Sequence, residues 1–196
     1  VALVDWLITP LGWALRGKRT DPGGSVQFAP QLGATGSFGA LTITSPSFGA
    51  DQEIPRKHSG IGRGPNVSPG LDWGRLPEGT EQILLIIEDT DVPMAQPIIH
   101  TIALLEPASP TGVPGIPEGA MTPGNLRVHY VPAFRGWVGY SGPRPLPGHG
   151  VHHYGFHVYA LDTVIDAHAA AGIRELLELV HGHVLASGVL TGTQRS

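Results

Sequence analysis

The sequence predicts a mainly β domain with a helix near each end. Three features of its 196 residues carry that prediction. Apolar runs of strand length recur along the middle of the chain, glycine and proline punctuate the intervals between them, and helical spacing is found in two places, one early and one late. The 28 glycines and 19 prolines reach about a quarter of the residues, but the runs between them are too regular for a disordered polymer. They read as shaped loops joining strands.

At the start, Val4, Leu7, Ile8, Leu11 and Leu15 follow helical spacing, with Thr9-Pro10 offering a cap and a first-turn proline for a helix that starts late. This stripe is expected to pack on the domain. Asp5, Pro10 and Gly12 interrupt residues 1–15, which also fall short of the roughly 20 apolar residues of a membrane span. The segment lacks the basic start and cleavage pattern of a signal peptide. The compartment stays open between the cytoplasm and secretion after removal of a leader.

Residues 20–39 are rich in glycine, proline and serine and predict an irregular connection. Residues 41–44 alternate with period two, 83–87 form a buried apolar run, and 99–105, 134–140 and 154–161 are further strand candidates. Ile173, Leu176, Leu177, Val180, Val184 and Leu185 then repeat with helical spacing, predicting a helix that closes the chain and carries His181 and His183. The length suits one domain over 1–196, with a helix and irregular extension over 1–39 and a core over 40–196.

Composition excludes several functions. Twelve basic against sixteen acidic residues give a net charge of -4 with no basic face, so nucleic acid is not an expected partner. The absence of cysteine removes disulfides, thiolate metal sites and thiol nucleophiles. No P-loop, dinucleotide fingerprint, HExxH or GxSxG motif is present, and no cofactor or metal is expected.

Chemistry-bearing residues concentrate at three points. Asp89-Thr90-Asp91-Val92-Pro93 follows directly on an apolar strand, so its carboxylates either line a rim or make turn bonds that stop the strand. His100 stands near the start of the next strand. In Gly148-His149-Gly150-Val151-His152-His153-Tyr154, alternation puts His152, Tyr154 and Phe156 on one face and His153 and His157 on the other. The loop 142–150 between strands is where a site is expected.

Taken in order, Asn66-Val67-Ser68-Pro69 with Leu71 and Trp73, then Asp89 to Pro93, then His100, then Gly142-Pro143 leading to Gly150-Val151-His152-His153-Tyr154, resemble the phosphatidylethanolamine-binding protein family. The tail from His183 to Thr193 resembles its bacterial and fungal members, and the resemblance runs from about residue 40 onward. It implies a large antiparallel sheet packed on a smaller one with peripheral helices. It also implies a pocket where the two motif loops meet, at Asp89, Asp91, Ile98, His100, Tyr140, Gly142, Pro143, His152 and Tyr154, which accepts phosphate, a carboxylate or a phospholipid head group. Asp89 would orient a histidine.

The sequence departs from the family pattern at Thr90 in place of proline, Ile98 near a usual aromatic, His153 in place of arginine and Gln194 in place of a common tyrosine. A histidine cannot copy the permanent charge and five-donor fork of an arginine. The resemblance implies a binding module for a small anion, which could also contact a protein partner. The alternative it offers is an enzyme or accessory of fungal natural-product pathways, assisting dimerisation of maleic-anhydride units. There His100 or His152 would move a proton on an anhydride or diacid and Asp89 would fix the tautomer.

Overall fold

The computed structural model describes residues 2–33, 40–107 and 114–196, with side chains from residue 7 onward in the first stretch. The chain is mainly β, with two antiparallel sheets and two helices among the described residues. The large sheet holds five strands in the order β5-β3-β2-β6-β7: β5 (Val128–Tyr130), β3 (Ile98–Leu105), β2 (Gln82–Asp89), β6 (Val151–Leu161) and β7 (Val184–Arg195). The small sheet pairs β1 (Leu71–Asp72) with β4 (Gly115–Ile116).

β2 is central, and all eight of its residues are buried. Its continuous apolar run is what a strand covered on both faces requires. On one face Ile83, Leu85 and Ile87 pack with Phe156, Val158, Trp73 and Leu71 toward the small sheet. On the other, Leu84 and Ile86 pack with Tyr159 and with Leu176 and Val180 of α2 (Ile173–Val180).

The strands expected at 83–87, 99–105 and 154–161 are present, while three other expectations are corrected. Residues 134–140 form a 3-10 turn at Phe134–Gly136 followed by irregular chain, because Arg135 takes φ 57° and Gly136 and Gly139 also have positive φ. Residues 41–44 keep their alternation, with Leu41 and Ile43 buried, but reach their neighbours through isolated backbone bonds instead of a ladder. The late helix stops at Val180: Gly182, at φ 83°, reverses the chain into the twelve-residue β7. A strand therefore follows the helix, and His181 and His183 lie outside it.

At the other end, α1 (Ala2–Ala14) runs through Pro10 instead of starting at it. The expected stripe packs only in part: Ile8 and Leu15 are half-buried, Leu7 and Leu11 are exposed, and Val4 lies outside the described side chains. The helix rests on Gly12, where a Cβ would fall 1.8 Å from the Pro147 carbonyl oxygen, so only glycine allows this approach. Three 3-10 turns (Pro22–Gly24, Val26–Phe28 and Pro30–Leu32) follow in the irregular segment, whose residues 34–39 lie outside the described ones. Among the described residues, no helix is long and apolar enough to cross a membrane.

This N-terminal extension is tied down by polar contacts. Ser25 Oγ and the Val26 N–H both donate to the buried Glu88, which His157 also meets at 2.9 Å. Burial pushes the Glu88 carboxyl up, but His157, Ser25 and Val26 together outweigh it and leave the group below its ordinary value.

Candidate functional site

In the antiparallel order β3-β2-β6, the end of β2 lies beside the starts of β3 and β6. Asp89 is opposite Ile98 on one side and Tyr154 on the other. This register brings Asp89, His100 and His152 to one edge of the sheet. Loop residues 92–94 and 144–147, together with Ile8 of α1, close a cavity of about 440 Å³ over them.

The cavity is polar at its base and apolar on its walls. Asp89, His100, His152, Ser141, Arg144 and Arg63 supply the polar groups. Val92, Pro93, Met94, Ile98, Phe134 and Trp137 supply much of the wall. Arg144 makes no ion pair among the described residues.

Asp89 combines both of the roles open to it. Its Oδ1 accepts from the Asp91 N–H at 2.9 Å, the turn bond that ends the strand, and its Oδ2 meets His152 Nδ1 at 2.8 Å. His152 Nε2 is engaged as well, lying 2.9 Å from His149 Nδ1, and His149 Nε2 reaches the Lys18 carbonyl at 3.0 Å. Both ring nitrogens of His152 are thus occupied within the protein.

His100 sits edge-on to Tyr154, with centroids 5.4 Å apart. The ring is surrounded by protein, and what it exposes is cavity wall. Burial lowers its pKa, against the opposing pull of the Asp89 charge and a hydrogen bond to the Ser141 backbone. Tyr154 is fully buried, and its hydroxyl lies close to the Asp89 carboxylate. Burial first, and then the nearby Asp89 carboxylate, hold that phenol well above its ordinary range.

Other residues expected in the pocket act behind it. Tyr140 is buried and donates to the His58 carbonyl at 2.8 Å. Asn66, at φ 59°, donates to the Tyr140 carbonyl and accepts from the Gly142 N–H, clamping the segment that leads to the cavity. A Cβ on Gly142 would lie 2.0 Å from the His58 carbonyl oxygen. Pro143 is buried and accepts from the Gly60 N–H. Tyr140, Gly142, Pro143 and Tyr154 support the cavity without lining it.

Asp91 is likewise turned away. Its Oδ2 accepts from the His153 N–H and meets His153 Nδ1, both at 2.6 Å, while Oδ1 pairs with Arg19. The guanidinium on this carboxylate therefore comes from the N-terminal extension. Gln194 donates to Ser59 Oγ at 2.6 Å and does not line the cavity.

The residues read least well from the sequence are Arg144, Arg63, His149 and Ile8. Arg144 had a signal, since it directly follows Gly142-Pro143 in the loop where a site was expected. Ile8 had a signal for packing, as part of the early helical stripe, but none for where it packs, and Arg63 had none, because each comes from a distant segment. Among the described residues, no cluster of three or more histidine and acidic side chains has the geometry to hold a metal ion.

A family model described as phosphatidylethanolamine-binding protein matches residues 44–195. The chain is 36% identical over 152 residues to a UPF0098 protein of Pyrococcus horikoshii, covering 76% of this chain and 73% of that one. It is 34% identical over 166 residues to a UPF0098 protein of Pyrococcus abyssi, covering 82% and 89%. Among solved structures, a phosphatidylethanolamine-binding protein homologue from Chlamydia trachomatis superimposes with a TM-score of 0.69 at 31% identity, over 80% of this chain and 98% of that one. YbcL of E. coli, described as a member of the mammalian family, shares the fold with a TM-score of 0.71 at 23% identity, over 81% and 99%. These relatives are archaeal and bacterial and lend no support to the fungal pathway reading. The order of motifs, the two-sheet fold and these matches lead to one conclusion: the chain belongs to the phosphatidylethanolamine-binding protein family, and ligand binding in general is what that membership implies.

Proposed function

We propose that the protein binds a small anion, a phosphate, a carboxylate or a phospholipid head group, in the cavity at the end of β2. The observation that carries this reading is the cavity of about 440 Å³ in which the His100 imidazole and the Arg144 guanidinium meet with no ion pair on Arg144 among the described residues. A guanidinium presents a planar fork suited to carboxylate or phosphate oxygens. His152 is the orienting residue of this arrangement, since both its nitrogens are engaged by Asp89 and His149. The apolar walls suit a ligand whose charged group is carried on a small hydrophobic body.

Titration with phosphate, phosphoethanolamine and acetate, followed through histidine ring signals, tests this. Saturable shifts at His100 are expected. Arg144→Ala should weaken binding roughly tenfold to a hundredfold, the scale of one charge-assisted contact. Unperturbed His100 signals at millimolar ligand would reject the reading.

A further inference from the structure

The geometry points to an excess proton held by the chain of contacts from Asp89 through His152 and His149 to the Lys18 carbonyl, and we infer that this proton is what allows the cavity to accept an anion. The inference rests on reading the cavity as an anion site, but the proton itself can be measured without a ligand.

The argument is a count of hydrogens. A carbonyl oxygen only accepts, so the contact between His149 Nε2 and the Lys18 carbonyl places a hydrogen on the imidazole. The 2.9 Å contact between His149 Nδ1 and His152 Nε2 needs a second hydrogen, because two bare nitrogens would repel at that distance. The 2.8 Å contact between His152 Nδ1 and Asp89 Oδ2 needs a third. Two neutral imidazoles bring one N–H each. The third hydrogen is therefore an added proton, whether it makes either ring an imidazolium or makes Asp89 a carboxylic acid. In each case the three side chains carry a net charge of zero instead of minus one.

Burial makes the count matter. Asp89, His149 and His152 are 2%, 5% and 1% exposed. Loss of the proton would leave one contact without a hydrogen among groups that water cannot reach freely, and unpaired buried polar atoms are costly. The Asp91 N–H donates to Asp89 Oδ1, but it is a neutral dipole and brings no full charge to set against the carboxylate. Tyr154 is a neutral phenol, His100 is discouraged from charging by burial, and Arg19 is committed to Asp91. Arg144 and Arg63, the two guanidinium groups that line the cavity, would then face an ionised Asp89, and an entering anion would meet that carboxylate at the cavity base.

His149 is the positioning residue in this scheme. Without it, His152 could satisfy Asp89 as a neutral ring with its hydrogen on Nδ1, and the added proton would have no place. The Lys18 carbonyl fixes the orientation of His149, so the N-terminal extension takes part in setting the charge of a cavity whose polar base comes from other segments.

Nitrogen-15 spectra of the histidine rings and the carbon shift of the Asp89 carboxyl, recorded on the wild-type protein at neutral pH, test the count directly. The expected pattern is a doubly protonated ring at His152 or His149, or a protonated Asp89. An ionised Asp89 with two singly protonated rings would overturn the inference. In His149→Phe the added proton should be gone and phosphate affinity reduced about tenfold, the effect of one uncompensated charge near the ligand. Phosphate binding equal to wild type in a folded His149→Phe would also overturn it. Should phosphate not bind the wild-type protein at all, the anion reading fails, while the spectra still decide the proton count.

Discussion

Gly142 illustrates how tightly single residues are held around the cavity. With the His58 carbonyl 2.0 Å from where its Cβ would lie, Gly142→Ala must displace backbone, and a loss of about 1–3 kcal/mol is expected by thermal unfolding. His100 belongs to the same scale. Its pKa is lowered by burial, so the ring is neutral at neutral pH and an incoming anion favours its protonation. Binding should therefore take up a proton, and affinity should rise as pH falls below the ordinary histidine value of 6.5. Calorimetry in buffers of different ionisation enthalpy would measure that uptake, and a binding heat independent of the buffer would contradict it. Asp89, His100 and His152 were legible in the sequence because strand alternation and the order of motifs mark them. The division of labour among them was not, because which nitrogen meets which partner depends on Lys18 and His149, which approach from different directions.

At the scale of elements, the N-terminal extension is the least expected part. Arg16 donates to the Gly148 carbonyl, Arg19 pairs with Asp91, Thr20 bonds to Thr90 and Val92, and Ser25 reaches Glu88. All these partners lie at or beside the ends of β2 and β6. Arg19→Ala should loosen the extension locally, raising amide exchange over residues 16–28 while β2 stays protected. Unchanged exchange would mean that the other contacts suffice. Helical periodicity revealed this packing only in part, because α1 approaches through Gly12 as well as through Ile8 of its apolar stripe. The late helix was over-extended for a related reason. Val184 and Leu185 continue its spacing by coincidence, and Gly182, the one residue marking the break, is a weaker signal than six periodic apolar positions. The opposite error, reading a strand at 134–140, came from apolar composition in a segment whose backbone turns at Arg135.

For the whole molecule, burial of titratable groups sets the response to acid. Glu88 and His100 both have folded values below their ordinary ones. The unfolded chain then binds more protons as pH falls, so stability declines with acidification, from below 6.5 for His100 and from below 4.5 for Glu88. Thermal unfolding across this range should show both declines, and Glu88→Gln should flatten the more acidic one while lowering stability near neutrality. Stacked sheets were readable from three apolar runs, which mark the centre of the large sheet, while its packing on a smaller sheet came from the family resemblance. Its outer strands were less so, since β5 has three residues and β7 alternates weakly, with glycines at 188 and 192. The complete enclosure of β2 between β3 and β6 has a kinetic side. Its amides open only when much of the large sheet opens, whereas Lys18 lies in an exposed segment outside the sheet, held by its own polar contacts. The histidine chain thus spans two parts of the protein that can open separately, and the lifetime of its outermost bond is set by the extension's contacts, not by the sheet.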